Sequence, residues 1–183
     1  MKKTVLTFGL LSGATVSALT AVLMPLCISG AIDFQNGEIL GYSAMVLSFL
    51  FVFFGIRSYR ERVGGGAVSF GRAFAVGILI VAVSSAVYVV AWEIVYYNFV
   101  PDFLDQYQAH VLDKLEASGA DAEALAAERA EMARFAELYA NPLFNVAVTF
   151  LEVFPVGLLV TLVSAAILRR RRAPGPPEGA VPA

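Results

Sequence analysis

The sequence predicts an all-α fold, a four-helix transmembrane bundle with an extracytoplasmic helical hairpin between the third and fourth spans. Four apolar runs each approach or exceed the roughly 20 residues that a helix needs to cross a bilayer. Nearly every Lys and Arg lies beside the same set of their ends, which is typical of cytoplasmic flanks. Only 15% of the residues are charged, against about a quarter in a soluble domain. Burial in lipid therefore accounts for the apolar excess.

The elements follow in chain order as one membrane domain over residues 1–172 and a disordered cytoplasmic tail over 173–183, a segment rich in proline. The predicted spans and the hairpin cover, in order, residues 4–29, 39–56, 73–97, 101–141 (the hairpin) and 143–168.

The first run has two interpretations, because Lys2 and Lys3 before an apolar segment also fit a signal peptide. The apolar sequence continues without a break to Ile28, which is longer than the usual apolar core of about 7–15 residues in such peptides. A retained first span is therefore favoured over a cleaved one.

Small residues form strips at helical spacing in the first and fourth spans. Gly9 and Gly13 belong to the strip in the first span, and Gly157 belongs to the strip in the fourth span. Such strips let helices approach closely, so these glycines are expected to mediate helix packing. Packing within one molecule is the simpler interpretation, and a homo-oligomer is the alternative.

The basic residues set the predicted orientation. Ten of the 13 Lys and Arg residues lie beside one set of span ends, whereas 11 of the 15 acids lie on the other side. Both termini and the loop around residues 64–66 are therefore expected in the cytoplasm. This distribution disfavours nucleic acid as a partner and favours anionic lipid. The expected lipid contacts are Arg57, Arg60, Arg72, Arg169 and Arg170.

The segment over 101–141 has the apolar periodicity of two amphipathic helices. Gly119 is expected to end the first helix, and Asp121 to cap the start of the second. Both helices carry acids on their outer faces. A solvated face is the plain interpretation, and a contact surface for a protein partner is the alternative. The apolar positions are Phe103, Tyr107, Val111 and Leu115 in the first helix, and Leu125, Met132, Phe135 and Tyr139 in the second.

Two acids fall inside predicted spans, Glu93 near the outer interface and Glu152 about one turn deeper. Intramembrane acids are costly and are functional candidates by default. With Tyr96 and Asn145 they form a candidate intramembrane polar site. It is either a protonatable pair at an outward-open cavity or a set of neutral acids satisfied by local hydrogen bonds.

No catalytic or cofactor motif accompanies these acids. The chain has a single cysteine, Cys27, and a single histidine, His110, so a transition-metal site is not expected. The glycines at 64–66 lack the Gly-Lys-Ser/Thr that a phosphate-binding loop requires. We therefore expect neither an enzyme nor a cofactor.

Five stretches carry a resemblance to a known family: FGIRSYR (54–60), SFGRAF (69–74), WEIVYYN (92–98), NPLF (141–144) and FPVGL (154–158). Together they resemble a bacterial membrane-protein family catalogued as domain of unknown function 4199, from about residue 3 to 170. The resemblance implies a small multi-pass bacterial membrane protein, and we expect its location to be the inner membrane. It assigns no activity and no catalytic residues.

The functional expectation is an interaction or scaffolding role in the membrane. The alternative is a small proton-linked transporter or carrier that uses Glu93 and Glu152.

Overall fold

The computed structural model describes residues 1–170, which form six helices and no extended strand. The predicted tail at 173–183 lies outside the described residues. The helices are α1 (Lys2–Ile28), α2 (Phe34–Arg62), α3 (Phe70–Asn98), α4 (Phe103–Ala117), α5 (Ala122–Tyr139) and α6 (Pro142–Leu168).

Four of these helices, α1, α2, α3 and α6, are long and apolar enough to cross a membrane. The prediction of an all-α chain with four apolar spans is confirmed. The helices extend beyond the apolar runs, most of all α2, which begins at Phe34 and ends at Arg62. A helix of 27 residues is about 40 Å long, whereas the hydrocarbon core is about 30 Å thick. The extra turns are polar and are not visible in an apolar run.

The long helices pack with α2 and α3 between α1 and α6. Helix α1 contacts α2 and α3, helix α6 contacts the same two helices, and α2 and α3 also touch. Fully buried side chains fill the middle of these contacts, and they include Phe49, Ile56, Ile80, Val81 and Val153. We call the end of the helices near Arg62 and Phe70 the basic end, and the opposite end the arm end.

The three strip glycines lie where helices of the same chain meet. A Cβ added to Gly9 would lie 2.7 Å from Val83 Cβ, and one added to Gly13 would lie 2.7 Å from Val87 Cβ. A Cβ added to Gly157 would lie 2.5 Å from Val81 Cγ1. Any larger residue at these positions would force α1 or α6 away from α3.

Residues 101–141, which we call the arm, hold α4 and α5. Helix α4 ends at Ala117, and Gly119 adopts a φ of +84°, a left-handed conformation that favours glycine. Asp121 Oδ1 then accepts a hydrogen bond of 2.8 Å from the Ala124 amide. The predicted break and N-cap are confirmed.

Several contacts fasten the arm to itself and to the rest of the chain. Gln108 Nε2 donates a hydrogen bond of 3.1 Å to the Met132 carbonyl, which joins α4 to α5. His110 Nε2 lies 3.3 Å from Asp33 Oδ1, in the turn between α1 and α2. Helix α5 contacts α6. The arm therefore folds back over the arm end of the long helices.

Candidate functional site

An aromatic junction joins the arm to α3. Trp92 and Tyr96 lie about one turn apart on one face of α3, and both are buried together with Tyr139 at the end of α5. Trp92 Nε1 donates a hydrogen bond of 2.9 Å to the Tyr139 hydroxyl. The Trp92 ring also meets Phe103 of α4 edge to face, with centroids 5.5 Å apart. Both arm helices therefore contact the same turn of α3.

Tyr139 is the polar centre of this junction. Burial raises the pKa of Tyr139, and the interactions of its hydroxyl with Thr149 and Trp92 partly offset the rise. Thr149 Oγ1 in turn donates a hydrogen bond of 3.2 Å to Asn145 Oδ1. A chain of polar side chains thus runs from α3 through the last residue of α5 into α6.

Asn145 is fully buried within α6. Its Oδ1 accepts from Thr149, but among residues 1–170 its Nδ2 has no hydrogen-bond partner. A buried amide donor without an acceptor costs about 1–3 kcal/mol. The site therefore holds an unused donor on Asn145, which Thr149 links to Tyr139.

Glu152 lies two turns along α6 from Asn145 and is exposed on the helix surface. Its carboxyl group interacts electrostatically with Tyr88 of α3 and with Tyr139. The charged neighbour acting on it is Glu38 of α2. An electrostatic interaction thus links two carboxyl groups from different helices at the arm end.

Sequence reasoning missed Glu38 as a member of this site. The predicted second span began at residue 39, which placed Glu38 in a polar loop. In the structure α2 begins at Phe34, so Glu38 lies within the helix and acts electrostatically on Glu152. The signal in the sequence that could have identified Glu38 was its position directly before the second apolar run.

Glu93 is half-buried on α3 and acts electrostatically on Tyr96. Its Oε1 is buried without a hydrogen-bond partner among residues 1–170. The structure describes an interaction of Glu152 with Glu38 and, within the same residues, none with Glu93. A pair formed by Glu93 and Glu152 therefore stays a prediction.

The comparisons with known proteins place this architecture in a family. The family model described as "Protein of unknown function (DUF4199)" matches residues 7–170. The chain belongs to this family. The match confirms the resemblance predicted from the sequence stretches and covers the aromatic junction and both arm helices. The comparisons with curated proteins and with solved structures gave no match.

The middle of the DUF4199 chain holds a second polar contact, separate from the arm end. Ser84 Oγ donates a hydrogen bond of 3.0 Å to Ser12 Oγ, which donates one of 2.9 Å to the Ser48 carbonyl. All three serines are fully buried and join α1, α2 and α3. Because every hydroxyl in this set has a partner, the contact serves helix packing.

At the basic end, the five predicted lipid-contact arginines fall into two groups. Arg57 Nε and Arg60 Nη2 lie 3.0 Å and 3.5 Å from Glu61 Oε1, so these two share one carboxylate. The other three, Arg72, Arg169 and Arg170, form no ion pair within residues 1–170. The second group therefore carries its positive charge without an acidic partner, whereas Glu61 offsets one of the two charges of the first group.

Proposed function

We propose that this DUF4199 chain is an integral protein of the bacterial inner membrane with an interaction or scaffolding role. Helices α1, α2, α3 and α6 form its transmembrane bundle, and both termini are cytoplasmic. The arm is an extracytoplasmic helical hairpin. The excess of Lys and Arg at the basic end supports this orientation.

The observation that carries the proposal is a fixed arm with an acidic surface. The junction of Trp92 with Tyr139 holds the arm against the bundle, and the arm carries nine acids against three Lys and Arg residues. Most of these acids are exposed, including Glu116, Glu123 and Glu131. A preorganised acidic surface favours encounter with a basic segment of an extracytoplasmic protein.

The experiment introduces a photoreactive amino acid at Ala126, an exposed position on α5, in cells that express the full chain. We expect one discrete crosslinked adduct, weakened by an oligolysine competitor in spheroplasts. The double substitution Glu123→Lys and Glu131→Lys should reduce the adduct severalfold, because it reverses two charges on the acidic surface. Arg129→Gln, an exposed substitution on the same helix, is the matched control and should leave the adduct undiminished. A diffuse smear, or an adduct indifferent to charge reversal, contradicts the proposal.

A second candidate function is proton-linked transport. It is favoured by the electrostatic interaction between the carboxyl groups of Glu38 and Glu152 and by the unpartnered Asn145 donor two turns from Glu152 on α6. The purified chain in liposomes with an internal pH dye would then carry a proton flux that Glu152→Gln abolishes. A flux no greater than that of protein-free liposomes rejects uncoupled proton movement and favours the scaffolding role.

A further inference from the structure

A cavity of about 500 Å³ lies at the basic end, between the start of α3 and the end of α6. Its volume falls within the range of small-molecule sites, about 300–1,000 Å³. The lining residues come from two segments about a hundred residues apart in the chain: Val68, Ser69, Phe70, Arg169 and Arg170.

Backbone hydrogen bonds fix the two walls of this cavity in register. The Val68 amide donates to the Arg170 carbonyl at 3.1 Å, and the Arg170 amide donates to the Val68 carbonyl at 2.9 Å. Val68 itself is buried. Because the bridge uses main-chain atoms only, the side chains of Arg169 and Arg170 stay exposed and available to a ligand.

Both walls are electropositive. Arg169 and Arg170 have no acidic partner within residues 1–170, unlike Arg57, which is paired with Glu61. On the other wall, Phe70 and Gly71 open a helix of 29 residues, and amides in a first turn lack intrahelical acceptors. Ser69 already accepts from the Arg72 and Ala73 amides, so the amides that remain for a ligand are those of Phe70 and Gly71. A Cβ added to Gly71 would meet no atom within 4 Å, so a ligand can reach these amides.

Guanidinium groups with free helix N-terminal amides are a donor set suited to phosphate oxygens. Arginine presents planar, paired N–H donors that match phosphate geometry, and the positive end of a helix favours an anion. Exposed apolar side chains occur on both helices: Phe70, which lines the cavity, is 41% exposed, and Ile167, two residues before Arg169 in α6, is 66% exposed. Such apolar side chains are better suited to contact the acyl chains of a lipid than to contact a hydrated free ion.

We propose that this cavity binds the phosphodiester headgroup of an anionic phospholipid. The side chains of Arg169 and Arg170 hold the phosphate from one wall and the first turn of α3 from the other. The acyl chains run along Phe70 and Ile167. This assignment rests on the membrane placement proposed above, but it is independent of the arm and of its partner.

The test uses the purified full chain in phosphatidylcholine nanodiscs. Increasing fractions of phosphatidylglycerol are added, bound lipid is counted by native mass spectrometry after release, and inorganic phosphate is titrated separately. We expect retained phosphatidylglycerol in the wild type. Arg169→Gln with Arg170→Gln should weaken it about tenfold or more, because each basic side chain near an anionic surface contributes about 1 kcal/mol.

Two further variants keep the result interpretable. Arg57→Gln with Arg62→Gln removes the same two charges from exposed positions at the same end but outside the cavity, and it should change retention less than twofold. Arg169→Lys with Arg170→Lys keeps the net charge and should retain more lipid than the Gln pair. Such a difference would show that the Gln pair loses lipid through the lost charge and not through misfolding. Helical content by circular dichroism checks each variant.

Three outcomes overturn the assignment. Unchanged retention in the folded Gln pair would remove these arginines from the site. An equal loss in Arg57→Gln with Arg62→Gln would indicate diffuse surface charge instead of a cavity. Displacement of the lipid by inorganic phosphate at a similar concentration would assign the cavity to a free anion. Failure of the arm crosslink would not affect any of these three outcomes, because lipid retention is measured without the arm's partner.

Discussion

At the scale of single residues, the most specific contact between the arm and the bundle is the hydrogen bond from Trp92 to Tyr139. Both side chains are buried, with 7% and 6% of their surface exposed. Leaving a buried donor without its acceptor costs more than a surface hydrogen bond would. This contact therefore contributes strongly to how firmly the arm is held.

Tyr139→Phe tests that contact and should destabilise the arm. The ring is kept, but the indole N–H of Trp92 loses its acceptor, at a cost of about 1–3 kcal/mol. Trp92 is the single tryptophan of the chain, so its fluorescence reports on the junction directly. We expect a red-shifted emission and a lower midpoint of the fluorescence-detected thermal transition.

The control for this substitution is Tyr42→Phe, at a tyrosine of α2 that is 45% exposed, and it should change neither reading. The pH dependence gives a second check. Burial raises the pKa of Tyr139, so its neutral phenol contributes stability that is full below the ordinary value of about 10. That contribution is lost as the pH rises toward the folded value. Tyr139→Phe should lack this alkaline loss, and equal losses would argue against the junction.

The neighbouring carboxyl groups of Glu38 and Glu152 give a second prediction at this scale. Two acids that repel each other are coupled, so Glu38→Gln and Glu152→Gln should not be additive in the free energy of unfolding at pH 8. We expect a coupling of about 0.5 kcal/mol or more, with the double variant gaining less than the sum of the singles. The matched cycle with Glu38→Gln and Glu93→Gln should be additive. Coupling in that second cycle would indicate that Glu93, too, is a neighbour of Glu38.

At the scale of elements, the local features could be predicted and the long-range ones could not. Ser69 caps α3 by accepting from the Arg72 amide, and Gly119 and Asp121 separate α4 from α5. Each of these depends on residues within one turn, so their sequence signals are sufficient. The ends of α2 were missed because polar turns continue a helix past its apolar run.

The docking of the arm depends on contacts that no local pattern contains. His110 lies beside Asp33. Lys114 Nζ donates a hydrogen bond of 3.1 Å to Gln35 Oε1, a residue 79 positions away in the chain. Such contacts follow from which helices meet, and that depends on packing across the whole bundle. For the same reason the sequence identified Glu152 but not its neighbour Glu38.

At the scale of the whole molecule, polar groups lie unevenly along the four long helices. Carboxyl, phenol and amide groups gather at the arm end, while unpaired arginines lie at the basic end. Between them, Phe49 and Ile80 are fully buried, and the three buried serines that join α1, α2 and α3 are hydrogen-bonded to partners within the bundle. This arrangement supports two separate surfaces on opposite sides of a membrane better than a shared pathway between them.

The last prediction concerns orientation: the arm lies outside the cytoplasm, and the basic end faces the cytoplasm. In a Cys27→Ala background, Ala126→Cys on the arm should react with a membrane-impermeant thiol reagent in intact cells, because the arm is placed outside. Val63→Cys, at the basic end, should react only after the cells are permeabilised. Val63 is 56% exposed, and it avoids Gly65, whose φ of +60° strains any other residue. Labelling of Val63→Cys but not of Ala126→Cys in intact cells would invert the orientation. Either result leaves the lipid assignment open to its own test, because that binding is measured on purified protein.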